Sequence, residues 1–212
     1  MCRMRIISPS VTILDQIDGE QMIKNIEAWG RVCYKSEDRI SQDSAAAFVR
    51  NILKSGHESV IEHEKVTVRI VCDRGVSHEI VRHRIASYSQ ESTRYCNYSK
   101  DKFGNALTFI RPCFWEEGDA KYLLWEEQMR SIEQAYFRLL EAGASPQEAR
   151  SVLPNSLKTE MIVTMNLREW RHFFALRTHP RAHPQMREVA GLLLAEFQRR
   201  IPVLFEDFPL SP

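Results

Sequence analysis

The stretch "EKVTVRIVCDRGVSHEIVRHR", Glu64–Arg84, changes its period halfway along. Val66, Val68, Ile70 and Cys72 alternate with Lys65, Thr67 and Arg69, the two-residue repeat of a strand with one buried side. From Arg74 onward the alternation stops, and "RGVSHEIVRHR" reads as a short helix leading into a basic motif. A strand passed directly to a helix points to a mixed fold.

The flanking segments agree. Upstream, "MRIISP" reads as a short first strand. Met22, Ile26, Trp29 and Cys33 recur at helical spacing, and a second helix carries Phe48, Val49, Ile52 and Leu53 before Ser55-Gly56 closes it. Downstream, "ALTFIRP" is a short strand ended by Pro112. Trp125, Met129, Ile132, Tyr136 and Leu139 mark a long amphipathic helix over roughly 116–142. "SPQE" at Ser145–Glu148 is a capping box with Pro at the first helical position, and Pro154 limits the helix it starts. "KTEMIVTMN" is a candidate strand and "REWRHFFALR" a helix, in which Trp170, Phe173 and Leu176 can point inward. A last helix carries Val189, Leu193 and Phe197. The expected fold is α+β or α/β, helix-rich, with residues 1–212 forming one domain and no evident linker.

Composition narrows the function. The 29 basic and 28 acidic residues leave a formal charge of +1, far from the excess carried by proteins that coat nucleic acid or anionic membranes. The five cysteines, Cys2, Cys33, Cys72, Cys96 and Cys113, form no CxxC pair, so neither a zinc knuckle nor a disulfide framework is expected. The N-terminal "MCRMRIISPS" has no apolar signal core, and no apolar run approaches the roughly 20 residues of a membrane span. These features point to a cytoplasmic protein with neither a membrane nor a nucleic acid as partner.

Against that neutral background, "RHRIASYSQESTRY", Arg82–Tyr95, gathers three arginines and a histidine, three serines and a threonine around one acid, Glu91. Arg82 and Arg84 lie about 200° apart on a helix, so a helical or turning backbone would aim them at two different anions. An Arg fork suits phosphate because it donates two parallel hydrogen bonds and keeps its charge. Spacing alone leaves other readings open. The cluster could be a solvated, salt-bridged face. Tyr88, Tyr95 and Tyr98 between arginines could stack on single-stranded nucleic acid. His83 with Ser87 or Ser92 could imitate a hydrolase pair, although no G-x-S-x-G elbow surrounds those serines.

Two further clusters stand out. "GHESVIEH", Gly56–His63, holds His57, Glu58, Glu62 and His63, but Ile61 breaks the H-E-x-x-H spacing, so no metal site is expected. "MNLREWRHFFALRTHPRAH", Met165–His183, holds Arg168, Arg171, His172, Arg177 and Arg181, with Arg168, His172 and, less closely, Arg171 on one side of a helix. Neither a Rossmann glycine motif nor a P-loop is present.

With these clusters the chain resembles the flavin-dependent thymidylate synthases. Their signature is R-H-R, seven residues, then Ser; here it is Arg82-His83-Arg84, "IASYSQE" and Ser92, continued by Thr93-Arg94-Tyr95. "GHESVIEH", "ARSVLP" and "NLREWRHFFALR" resemble the family's other elements, so the likeness runs over roughly residues 50–205. It implies a homotetramer with a central, mainly antiparallel sheet flanked by helices, and active sites shared between subunits. It implies FAD as cofactor, NADPH as reductant and methylenetetrahydrofolate as carbon donor, with dUMP converted to dTMP without an enzyme cysteine as nucleophile. Carried over residue by residue, the FAD positions are Ser59, Glu62, Arg82, His83, Arg84, Ile85, Asn166, Arg168 and His172. The dUMP positions are Glu79, Arg82, Gln90, Ser92, Arg94, Arg150 and Arg177. Arg177 is the expected polariser of the pyrimidine, Ser92 orients the nucleotide, and His57 lies near the folate and reductant end. Gln90 stands where several relatives have Glu, and Arg181-Ala182-His183 and Gln185 replace a more usual His-Ala and Glu arrangement.

Overall fold

The structure, a computed structural model, describes residues 4–209; Cys2 lies outside them. In chain order the elements are β1 (Arg5–Ile7), β2 (Ser10–Ile13), α1 (Gly19–Val32), α2 (Ser44–Lys54), β3 (Lys65–Asp73), α3 (Arg74–Ile80), β4 (Ala86–Gln90), β5 (Thr108–Ile110), α4 (Ala120–Glu141), α5 (Pro146–Ala149), β6 (Lys158–Asn166), α6 (Leu167–Arg177), α7 (Pro184–Arg200) and α8 (Pro202–Phe205). The mixed, helix-rich, mainly antiparallel fold expected from the sequence is the one observed. The main sheet runs β2-β3-β6-β4, and a separate parallel pair joins β1 to β5 in the register Arg5↔Thr108 to Ile7↔Ile110. No helix among the described residues is long and apolar enough to cross a membrane.

The chain's internal contacts divide it into two compact units. The first holds the segment up to Ser10, Ile70–Arg82 and Ser89–Met161; the second holds Val11–Arg69, His83–Tyr88 and the segment from Ile162 onward. In the first unit Leu107, Phe109, Met129, Tyr136 and Leu157 form the core, with Trp125, Ile132 and Leu139 packed against it, so the face read on α4 is the buried one. That helix starts at Ala120, later than expected, because Asp119 caps it by accepting from the Lys121 amide. Glu133 is buried on the same face, where its carboxylate accepts the Leu107 amide at 3.0 Å.

The second unit is built on aromatics. Trp170 and Phe174 on α6 pack with Phe197 on α7, and Phe205 on α8 packs against Phe174 and Phe197. The face read on α1 needs correction. Met22 and Ile26 are buried, but Trp29 is 40% exposed and Cys33 is exposed, while Ile23, Glu27 and Gly30 turn inward. Gly30 explains the rotation: a Cβ there would meet the Phe48 ring at 2.5 Å, so the missing side chain lets α2 approach closely. Gly56 ends α2 as expected, at φ +70°, a conformation glycine adopts without strain. Leu176 on α6 is also exposed, contrary to the inward reading.

Candidate active site

The strand-to-helix junction at β6–α6 builds the site on the second unit. Asn166 ends β6 and caps α6, its side-chain oxygen accepting the Glu169 amide at 2.8 Å. Arg168 and His172 follow one helical turn apart and therefore share a side. With Glu58, Glu62, Ile85 and Asn166 they line a cavity of about 580 Å³. Five of the expected cofactor positions, Glu62, Ile85, Asn166, Arg168 and His172, thus meet around one cavity. Ser59 and His57 are exposed at the start of the 3₁₀ turn that carries Glu58 and Glu62.

Two of the three arginines on this helix, Arg168 and Arg171, differ sharply. Arg168 is exposed, donates to Glu62 at 2.6 Å and lies 3.8 Å from Glu58. Arg171 lines the same cavity as Arg168 and His172, the side they were expected to share, but its face is not solvated: it is only 9% exposed, forks onto Asp207 at 2.6 and 2.9 Å and donates to the Leu204 carbonyl. That bond holds the Asp207 carboxyl below its usual range. Arg171 ties α6 to the chain's last helical segment, whereas Arg168 has a solvent-screened partner it can exchange at little cost.

His83 is the buried member of the R-H-R triplet, 4% exposed, while Arg82, Arg84 and Ile85 are exposed. Arg82 belongs to the first unit; His83 and Arg84 belong to the second. Both ring nitrogens of His83 are engaged. Arg177 donates its Nε–H to His83 Nε2 at 3.1 Å, and His83 Nδ1 lies 3.0 Å from Glu169 Oε1. A guanidinium only donates, so Nε2 is the acceptor and the proton sits on Nδ1, shared with the carboxylate. Glu169, His83 and Arg177 form a chain of hydrogen bonds that fixes the plane of the Arg177 guanidinium. The donor atoms of His83, Glu169 and His172 also lie within 4.8 Å of one another, but a cation at Nε2 would displace Arg177 and stand against its charge.

Burial pushes the His83 pKa down, and the adjacent Arg177 adds to this; the hydrogen bond to Glu169 opposes it without prevailing. Acid therefore weakens the fold at this point. In the unfolded chain His83 takes up a proton near its ordinary pKa of about 6.5. The folded protein takes it up only at lower pH. Between those values the unfolded state binds the additional proton, so stability falls as pH falls. Urea midpoints followed from about pH 7 to about pH 5 should decline, and those of His83→Gln should decline less steeply. Parallel declines would remove His83 as the cause.

The remaining expected positions lie on the first unit. Glu79 is near the end of α3. The Gln90 amide nitrogen donates internally, to Ser77 Oγ at 2.9 Å and Thr159 Oγ1 at 3.1 Å. Ser92 Oγ accepts the Arg94 amide at 3.3 Å, and the exposed Arg94 guanidinium sits over the Tyr95 ring. Arg150 donates to Thr93 at 3.4 Å and lines a second cavity. Glu91 is structural, paired with Lys158 at 2.7 Å and accepting from the Tyr98 hydroxyl.

A family profile described as "Thymidylate synthase complementing protein" matches residues 13–203. A flavin-dependent thymidylate synthase from Pyrococcus furiosus is 39% identical over 176 residues, 82% of this chain and 71% of the relative. The chain belongs to the flavin-dependent thymidylate synthase family. A second family member, from Geobacter sulfurreducens, is 37% identical over 84% of this chain and 78% of its own. Among solved structures, a UMP/dUMP methylase from Streptomyces cacaoi bound with 5-Br dUMP superposes with a TM-score of 0.72 at 26% identity, covering 95% of each chain. Membership makes the protein an enzyme of the methyltransferase class. The family signature explains why His83 is flanked by exposed cations; it does not point to Glu169, which lies 86 residues from His83 and meets it only through the fold.

Proposed function

We propose that the protein reductively methylates dUMP to dTMP, with FAD as bound cofactor, methylenetetrahydrofolate as carbon donor and NADPH as reductant. The observation that carries the reading is Arg177, oriented through His83 by Glu169 in the same unit as the cavity lined by Asn166, Arg168 and His172. A guanidinium fixed in this way stabilises negative charge developing on a pyrimidine carbonyl oxygen, as an oxyanion donor does.

The donor set of that cavity fits a flavin dinucleotide. Arg168 offers charge to a pyrophosphate, His172 a ring nitrogen, Asn166 an amide and Ile85 an apolar surface, and the volume lies within the ~300–1,000 Å³ of ligand sites. Ser59, Glu62, Arg82, His83 and Arg84 complete the group of residues that would hold it. When bound, the flavin supplies the reducing equivalents for the methyl group. The chain's own residues then bind, orient and neutralise. Glu79, Arg82, Gln90, Ser92, Arg94 and Arg150 take the nucleotide, with Ser92 as an orienting hydroxyl, and His57 serves the folate and reductant end. Cys72 is unsuited to attack, being fully buried with its thiol pKa pushed up by that burial.

Residues 1–212 act as one functional domain in this reading, supported by a family match that takes in segments of both units. The enzyme works in the cytoplasm as a homotetramer with shared sites. Ile85 and Tyr95, 67% and 78% exposed within the signature, suit surfaces that a ligand or a second subunit covers. The test is NADPH oxidation by purified protein, expected only when both FAD and dUMP are present, and accompanied by dTMP once methylenetetrahydrofolate is supplied as carbon donor. A colourless protein that binds no added FAD, yet holds single strands with steep salt dependence, would turn the reading to nucleic acid.

A further inference from the structure

The second cavity lies within the first unit. It measures about 450 Å³ and is lined by Arg74, Thr93, Gln147, Arg150, Ser151 and Leu153. Two arginines line it and its lining contains no carboxylate. Arg150 is exposed and anchored by its 3.4 Å bond to Thr93, itself buried. Arg74 has another setting. Its backbone N–H is bonded to the Asn155 and Leu157 carbonyls at 2.9 and 3.1 Å, and Asp73 caps the helix it opens, so its Cα is fixed. Its Nη1 is buried and has no hydrogen-bond partner.

Both facts are unfavourable in the protein alone. A buried guanidinium nitrogen without an acceptor loses its hydration with nothing in return. Two like charges on one cavity repel each other. A dianion with several oxygens relieves both, and the neutral donors of Thr93, Gln147 and Ser151 suit the oxygens that the guanidinium groups leave over. We infer that Arg74 and Arg150 together form the binding site of a phosphate monoester dianion, and that Arg74, which neither the signature nor the cluster reading singled out, is its second cation. The inference rests on the reading of the chain as a dUMP enzyme for the identity of the ester. The same chemistry is carried by the 5′-phosphate of dUMP and the 2′-phosphate of NADPH; the cavity has room for a phosphoryl group together with the pentose that bears it.

The test compares wild type with Arg74→Gln and Arg74→Lys, using the full chain loaded with FAD. Inorganic phosphate is the first probe, followed by ³¹P line broadening. Broadening is expected with wild type, reduced with Lys and lost with Gln; equal broadening in all three overturns the site. The second probes are dUMP against deoxyuridine, and NADPH against NADH. Losing a charge-assisted fork should weaken the phosphorylated member of one pair by about ten- to a hundredfold and spare its phosphate-free counterpart. Loss on the dUMP side assigns the site to the nucleotide, and loss on the NADPH side to the reductant; loss on neither overturns the inference. Phosphate broadening through Arg74 in a protein that binds no dUMP would keep the site and reject the proposed reaction. Thermal melting without ligand separates this role from a structural one. Removing a cation whose Nη1 is buried without a hydrogen-bond partner should leave the melting temperature unchanged or raised, and a clear fall in both variants would make Arg74 a structural residue.

Discussion

Arg177→Ala is expected to lower kcat by about 10²–10³-fold while dUMP affinity changes much less, the pattern of a donor whose contact strengthens in the transition state. The expectation follows from how the guanidinium is held. Its Nε–H is bonded to His83 Nε2, and the opposite side of that imidazole meets Glu169, so the fork is oriented before any ligand arrives. A preoriented charge needs no reorganisation at the moment of reaction, which is where such groups gain their effect. Three controls separate orientation from charge. Arg177→Lys keeps the charge but has no fork and should recover only part of the rate. Glu169→Gln keeps an acceptor for the His83 proton but removes the carboxylate that favours imidazolium. Its kcat should fall by about tenfold, with the acid limb of its pH profile displaced to lower pH. His83→Gln should lose that limb. Steady-state kinetics across pH would check all three; an Arg177→Ala enzyme within about threefold of wild-type kcat would dismiss the polariser role.

How much of this was legible from the chain depended on whether the signal was local. β3 was read correctly because Val66, Val68, Ile70 and Cys72 alternate and all four are fully buried. β4, Ala86–Gln90, gave no such signal. "ASYSQ" has no apolar alternation and no fully buried residue, and it is a strand because β6 pairs with it in the sheet. On α1 the apolar period chose Trp29 and Cys33, while the fold turned Gly30 inward, since a residue without a side chain can define a helix contact that hydrophobicity does not register. The site divides in the same way. Arg168 and His172, one turn apart, could be placed on a shared side from spacing. Glu169 and Arg74 could not be found from spacing, because their importance lies in partners brought together, or left missing, by the fold.

The largest effect on stability is expected at Trp170, which joins the aromatic core to the helix capped by Asn166 and bearing Arg168, His172 and Arg177. Its ring is fully buried between Phe173, Phe174 and Phe197, with centroids 5.2–6.0 Å away, and its Nε1–H donates to the Val66 carbonyl of β3 at 3.0 Å. Trp170→Ala empties that space and leaves the carbonyl without its donor, so a loss of about 3–5 kcal/mol is expected. Trp170→Phe keeps most of the packing and loses only the donor and part of the ring, which should cost about 1–3 kcal/mol. Urea denaturation of both variants measures the difference, and flavin absorbance after added FAD reports the site. Because α6 carries four of the cavity's polar side chains, Arg168, Glu169, Arg171 and His172, flavin retention should fall in the same order as stability, with Ala losing most. If Ala and Phe lost equal stability, the hydrogen bond to Val66 would outweigh the aromatic packing, and the core would be pinned by that single donor instead of by its rings. A Trp170→Ala protein within about 1 kcal/mol of wild type would mean that α6 is held from its Arg171–Asp207 end instead.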